Sequence, residues 1–417
     1  MENLSNANGN WKRKAARFLI SQNVSLFGTS LVQYAIMWYV TLYTGSGFMM
    51  TLSIIFGFLP TFFLSPFAGV WADRFDRKKL IIYADGGIAL ATAVMVVFFL
   101  MGYESVWLMF VISAIRAFGS SVQQPAVNAF IPQFTPEDQL MRVNGINGSI
   151  QSFMMLISPM VSGVLMTLAP IETIFMIDVV TAIFAILIIA PLKVEQAQKQ
   201  IQQQGEKIDY FADLKQGIDY IRNHAYLKRF YVFIGVFHFL ITPVAMLSPL
   251  QVTRNYGGVI WRLTAIEIAF SSGMLIGGLL ISAWGGFKNR IHTMTLSTMT
   301  TGLLILVLGT QINFYVYLFI MFSAGITIPL FSTPSTVLLQ ENVDNVYLGR
   351  VFSVMSMIYS VTMPIGMLLF GPLADAIAIE WLLLVTGALV FIQGFFLIGS
   401  KVLVTAGEKR KEFPSEV

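Results

Sequence analysis

Four ionisable residues interrupt stretches that are otherwise apolar: Asp85, Arg116, Asp178 and Glu267. A charge in hydrocarbon is costly, so each is a candidate functional group. Arg116 is a fixed cation, and a fixed cation near an acid makes that acid's protonation sensitive to the charge of a bound ligand. Its alternative role is a structural tie to backbone carbonyls. Asp85 follows Lys79 by six residues and reads as a partner for the loop cations near it. Asp178 lies deeper in its run. Glu267 is expected to accept a proton, or a cationic group of a ligand, with a plain interfacial glutamate as the alternative.

Uncharged polar residues recur at helical spacing. Gln22, Ser25, Thr29 and Gln33 form one stripe, Asn144, Asn147, Gln151 and Ser158 a second, and Ser353, Ser356 and Ser360 a third. Polar groups facing lipid are unfavourable, so such stripes face a cavity or another helix. Serine stripes read as helix-packing contacts. The Asn and Gln faces read as cavity lining, with Trp38, Phe153, Met154, Met155, His238 and Met246 as adaptable apolar wall.

The elements that carry these residues are membrane helices. The chain has 417 residues, 56% hydrophobic and only 12% charged, where a soluble domain is about a quarter charged. Crossing the hydrocarbon core takes about 20 mainly apolar residues in helix. Twelve such runs are expected, at 18–43, 48–70, 80–101, 106–128, 145–168, 171–192, 230–250, 263–284, 291–311, 314–335, 351–374 and 381–403. They are continuous rather than alternating, which speaks against a β-barrel. Arg254 and Arg262 fall on one side and Arg116 in a span; every other Lys and Arg falls on the opposite side, which the positive-inside rule makes cytoplasmic. Both termini are expected there, and the N-terminus reads as no cleavable signal.

The chain has no cysteine, and His224, His238 and His292 are scattered. No metal, cofactor or Walker-type ATP site is expected, and no nucleophile–base arrangement of an enzyme can be read. The basic excess reports cytoplasmic loops, not nucleic-acid binding. The polar stretch 193–229 divides an N-terminal bundle (1–192) from a C-terminal bundle and tail (230–417). It begins glutamine-rich and then turns amphipathic, with Ile208, Phe211, Leu214, Ile218 and Ile221 at helical spacing, which predicts a short helix on the inner membrane surface. The halves repeat: Gly69 and Gly278, Lys79 and Lys288, and Pro125 and Pro334 stand 209 residues apart. Arg142 and Arg350, and Gly163 and Gly371, stand 208 apart. A duplicated six-helix unit is a common plan of transporters.

After the second span runs Gly69-Val70-Trp71-Ala72-Asp73-Arg74-Phe75-Asp76-Arg77-Lys78-Lys79. Its acid and cations sit at the membrane edge, where they can pair with helix ends and latch the halves. An ordinary basic loop is the alternative. The stretch resembles the loop 2–3 signature of the major facilitator superfamily at Gly69, Asp73, Arg74, Arg77 and Lys78, with Asp76 where many members carry glycine. The copy at Gly278 to Arg290 lacks the Asp-Arg pair.

A narrower resemblance, to the drug-efflux branch that includes macrolide-efflux proteins, rests on Arg116-Ala117-Phe118-Gly119, Pro125 to Ala129, Pro136 to Leu140 and Phe211 to Leu227. The fifth-span glycine–proline signature of drug antiporters is kept in part, at Pro159 and Gly163. The resemblance implies an all-α fold of two six-helix bundles around a central cavity. It implies proton-driven export of amphipathic or hydrophobic small molecules, drug- or macrolide-like, by a monomer in the bacterial inner membrane. Arg116 would then be tied to proton coupling, Asp178 would lie on a peripheral helix in a packing role, and Glu267 would border the cavity near its outer mouth. Export or flipping of an endogenous metabolite, siderophore or lipid is the second expectation, and a non-transporting membrane sensor the third.

Reporters fused at residues 5, 203 and 415 are expected to read as cytoplasmic. A periplasmic reading at 203, by paired phosphatase and fluorescent-protein fusions, would break the two-bundle plan.

Overall fold

The structure is a computed structural model. It describes residues 2–192, 210–310 and 312–408, apart from the side chains of 2–10, 65, 66, 69, 70, 73, 137, 210–214, 345 and 346. Fifteen α-helices make up the described chain. They are α1 (Glu2–Thr44), α2 (Gly47–Arg74), α3 (Arg77–Leu100), α4 (Val106–Phe130), α5 (Leu140–Leu168), α6 (Ile171–Ile189), α7 (Tyr210–Asn223), α8 (Ala225–Leu240), α9 (Thr242–Tyr256), α10 (Ile260–Trp284), α11 (Arg290–Leu308), α12 (Phe314–Asn342), α13 (Asn345–Ala376), α14 (Ile379–Gly399) and α15 (Lys401–Ala406). No strand occurs among the described residues. In lipid the backbone must bond to itself, and a continuous helix does so within one segment.

Eleven spans among the described residues are long and apolar enough to cross a membrane. They match the expected runs except the first. That run is helical throughout, but Gln22, Asn23, Ser25, Thr29, Ser30 and Gln33 dilute its apolar character. The expected seventh run is α8 and α9, which join with a break at Ile241 just before Pro243. The amphipathic stretch forms α7, yet it packs on α13. Tyr220 stacks on Tyr347 at 4.4 Å and donates to Asp344 at 3.1 Å, and Ile221 is buried. Ile208, Phe211 and Leu214, like the glutamine-rich stretch, lie outside the described side chains.

The helices cluster into two compact units. The first holds α1, most of α2, α3 to α6, and the opening turn of α10 to Thr264. In it α1 packs on α5 and α6, and α3 on α4 and α6. The second holds α7 to α9, the rest of α10, α11 to α15, and residues Gly45–Thr51 at the start of α2. In it α11 packs on α12 and α14, and α8 and α9 on α13 and α14. Contacts of α3 with α4 and α6 thus recur as contacts of α11 with α12 and α14, the packing counterpart of the sequence repeat. The start of α2 belongs to the second unit for a chemical reason. Asp375, at the end of α13, accepts hydrogen bonds from Gly47 N (2.7 Å), Phe48 N (2.9 Å) and Ser46 Oγ (2.7 Å), and pairs with Arg254 at 2.8 Å. It thereby caps donors that a helix start leaves unbonded.

Close approach of α10 and α12 rests on glycine. A Cβ at Gly273 would overlap the carbonyl oxygen of Phe322, and one at Gly325 would overlap that of Phe270. Small residues four apart, Gly273 and Gly277, let the backbones touch. Gly273→Ala should therefore cost about 1–3 kcal/mol and lower the melting temperature in detergent. Gly278→Ala, whose Cβ would meet nothing within 4 Å, should not lower it and should add up to about 1 kcal/mol of helix stability.

Candidate functional site

Within the first unit, α1, α4 and α5 line an open cavity of about 410 Å³, within the usual range for ligand sites. Most of its lining residues carry an amide or a hydroxyl: Gln22, Asn23, Thr29, Ser30 and Gln33 from α1, Gln123 and Gln124 from α4, and Asn147 and Gln151 from α5. Leu26, Tyr34, Val127, Met154 and Met155 supply apolar and aromatic surface. Such a wall offers many neutral donors and acceptors beside flexible thioethers, which suits an amphipathic organic ligand better than a small ion.

Seven of the residues expected to line a cavity do so here: Gln22, Thr29, Gln33, Asn147, Gln151, Met154 and Met155. Trp38 does not; it is fully buried and packs on Tyr34, one turn earlier, which takes the lining position. Asn144 is exposed at the start of α5. His238 and Met246 belong to the second unit, where His238 lies against Tyr359 at 4.4 Å with its Nδ1 3.0 Å from Ile234 O. Asn23, Tyr34, Gln123 and Gln124 were not expected. Gln123 and Gln124 fall between Arg116–Gly119 and Pro125–Ala129, the two stretches that carry the drug-efflux resemblance, and their helical phase is the signal that would have found them. Pro159 and Gly163 are buried on α5. A Cβ at Gly163 would overlap the Thr264 side chain, and Ser162 donates to Leu31 O at 3.1 Å, so this face is a packing face.

Beside the cavity lies a buried ion pair. Arg116 on α4 bonds to the Asp178 carboxylate on α6 and to the Thr92 hydroxyl on α3. Thr92 donates to Asp178 at 2.8 Å, Thr29 donates to it at 3.3 Å, and Arg116 reaches Thr29 O at 3.4 Å. Arg116 is 6% and Asp178 1% exposed. Gly28 makes room for this on α1, since a Cβ there would overlap Thr181 of α6. Asp178 thus faces inward onto the cation and ties its helix to α3 and α4. The reading of Asp85 as a partner of loop cations fails. Its carboxylate accepts from Ser25 at 2.8 Å and from Gln123. Glu267 is half-buried on α10 in the second unit and makes no hydrogen bond or ion pair with any described residue.

The loop 2–3 cations are employed at helix ends of their own unit. Arg77 donates to Ala72 O at the end of α2 and to Ala129 O at the end of α4, both at 2.8 Å. Lys78 donates to Ala190 O and Leu192 O after α6, at 2.6 and 2.9 Å. Asp76 caps α3 through Lys79 N. Cations at helix C-termini satisfy carbonyls that the helix leaves unpaired. Arg74 is exposed, and Gly69 and Asp73 lie outside the described side chains. In the second unit Arg290, at the start of α11, pairs with Glu341 at the end of α12 at 3.2 Å, a like tie in place of Arg77 to Ala129.

A model of the Major Facilitator Superfamily matches residues 18–367. The chain belongs to that superfamily. Over 383 residues this superfamily member is 32% identical to Macrolide efflux protein A of Streptococcus pyogenes, covering 91% of this chain and 94% of that one. It is 31% identical over 325 residues to Macrolide efflux protein A of Enterococcus faecalis, covering 78% and 100%. Among solved structures it is similar to a bacterial homologue of the iron transporter ferroportin in an inward-facing state, with a TM-score of 0.67 and 16% identity over 93% of this chain and 98% of that one. That likeness concerns the fold alone.

Removing the acid of the buried pair leaves a guanidinium without a counter-charge, which costs about 3–5 kcal/mol. Asp178→Asn should sharply reduce the folded fraction after detergent extraction, read by fluorescence-detected size exclusion. Thr92→Val, which removes one hydrogen-bonding group, should cost only about 1 kcal/mol. A wild-type profile for Asp178→Asn would show that the pair does not hold the unit together.

Proposed function

We propose that this chain exports amphipathic drugs of the macrolide type from the cytoplasm, driven by proton entry. The observation that carries this reading is the cavity: amide and hydroxyl groups facing methionine and tyrosine, sized for an organic molecule and free of metal-ligand clusters among the described residues. Similarity to macrolide efflux proteins along nearly the whole chain narrows the substrate class. On this reading the protein acts as a monomer in the bacterial inner membrane, with both termini cytoplasmic and no enzymatic step. Lipid, substrate and protons are its partners.

Proton coupling is assigned to the embedded ionisable residues Arg116, Asp178, Asp85 and Glu267. Because Arg116 and Asp178 are committed to each other, they set the position of α4 and α6, and Glu267 is the acid that takes the proton. Gly69, Asp73, Arg74, Arg77 and Lys78 form the cytoplasmic gate, with Arg77 and Lys78 fixing the helix ends from which it acts. One proton crossing a 100 mV potential supplies about 2.3 kcal/mol, roughly 50-fold in substrate concentration. That is ample for drug exclusion.

Cells expressing the chain should accumulate less radiolabelled macrolide than control cells, and a protonophore should abolish the difference. Glu267→Gln should lose the protonophore-sensitive component yet bind substrate when purified. Accumulation equal to that of control cells, with the protein present in the membrane, would overturn the efflux reading. Full protonophore-sensitive efflux by Glu267→Gln would move the proton to another acid.

A further inference from the structure

Asp85 is 1% exposed among α1, α3 and α4, and every hydrogen bond it receives comes from a neutral group. Ser25 Oγ donates to Oδ1 at 2.8 Å, and Gln123 Nε2 donates to the same oxygen. Oδ2 receives no hydrogen bond from any described residue, and the Nε2 of neighbouring Gln22 is likewise buried without an acceptor. Turning the Gln22 amide would pair those two atoms. It would not cancel a charge, because a hydroxyl and two amides are neutral. The guanidinium inside the spans of this unit is held by Asp178. Asp85 is thus an embedded carboxylate with no counter-charge among its described neighbours, an arrangement that is costly unless a proton or a cation completes it.

The position of Asp85 says where that completion comes from. Gln22 and Gln123, the two amides beside it, both line the cavity. The carboxylate therefore stands one side chain behind the cavity wall. A second acceptor on the same wall, Asn23 Oδ1, is also buried without a donor among the described residues, while the Asn23 amide nitrogen donates to Leu19 O. Two unfilled acceptors, one of them a carboxylate, call for a ligand that brings N–H donors and positive charge. They disfavour an anionic ligand by the same Coulomb term.

We propose that Asp85 is the ammonium subsite of this cavity: the exported molecule carries an aliphatic amine, and its N–H⁺ group takes the free oxygen of Asp85 as Gln22 and Gln123 turn aside. Asn23 Oδ1 accepts a further hydrogen bond from the same end of the molecule, while Tyr34, Met154 and Met155 cover its apolar body. This deepens the efflux reading and rests on it in one respect, that the cavity holds the exported molecule.

The test is binding to the purified full chain in detergent, by scintillation proximity, with a matched pair of probes. One is a macrolide carrying its dimethylamino sugar; the other is the corresponding N-oxide, of nearly the same shape and without net charge at neutral pH. Wild type should bind the amine about tenfold or more tighter than the N-oxide, the range expected of a hydrogen bond to a charged group. Asp85→Asn should lose that preference by losing amine affinity alone, and Asp85→Glu should keep it. Equal affinity of wild type for the two probes, or an undiminished preference in Asp85→Asn, overturns the proposal. If Asp85→Asn does not fold, wild type decides. The amine, but not the N-oxide, should protect Asp85 from a hydrophobic carbodiimide, read by peptide mass spectrometry, and lack of protection overturns the proposal. Macrolide exclusion by cells without an amine preference in binding removes the subsite and leaves the efflux reading standing. An amine preference without exclusion removes the efflux reading and leaves the subsite.

Discussion

A guanidinium and a carboxylate shut away among apolar helices persist only as a pair, and in this chain that pair fixes the geometry of everything near it. Arg116 and Asp178 tie α4 to α6, and through Thr92 and Thr29 they also fix α3 and α1. Four helices thus share one charge-assisted knot, and neither α4 nor α6 can rotate about its axis without parting the buried charges. Gly28 belongs to the same constraint, because only a residue without Cβ lets α1 come close enough to α6 for the Thr29 hydroxyl to reach Asp178.

Holding α1 in this way has a cost that appears elsewhere. A helix spending so many positions on amides and hydroxyls is a poor membrane span by composition. It is kept in place by packing on α5 and α6 rather than by its own hydrophobicity. Polar positions that weaken it as a span are those that line the cavity.

Much of this was legible in the sequence because membrane physics leaves few choices. Continuous apolar runs can only be helices, so the spans and the repeat were readable, and the packing of α3 with α4 and α6 returns in α11 with α12 and α14. The stripes of α1 and α5 gave Gln22, Thr29, Gln33, Asn147 and Gln151 by helical phase alone. Partnership was not legible. Asp178 and Arg116 are 62 positions apart in sequence, and nothing in spacing says that their helices face each other. Proximity in sequence misled for Asp85, since Lys79 lies two turns back along the same helix while Ser25 and Gln123 approach from other helices. Trp38 failed for a related reason: an aromatic on the right helix but the wrong phase becomes core, and Tyr34 takes the cavity.

The cap on α2 bears on the order in which the chain is made. Asp375 accepts its hydrogen bond from Gly47 N across 328 positions of sequence. A chain emerging from the ribosome at about 5–20 residues per second therefore carries the start of α2 for many seconds before its capping carboxylate exists. During that interval the first N–H groups of α2 must be served by water or lipid headgroups at the membrane surface. The opening turn of α2 reaches its final hydrogen-bonding state only when α13 has been synthesised. A late-arriving acid thus closes an early helix, and biogenesis ends where it began.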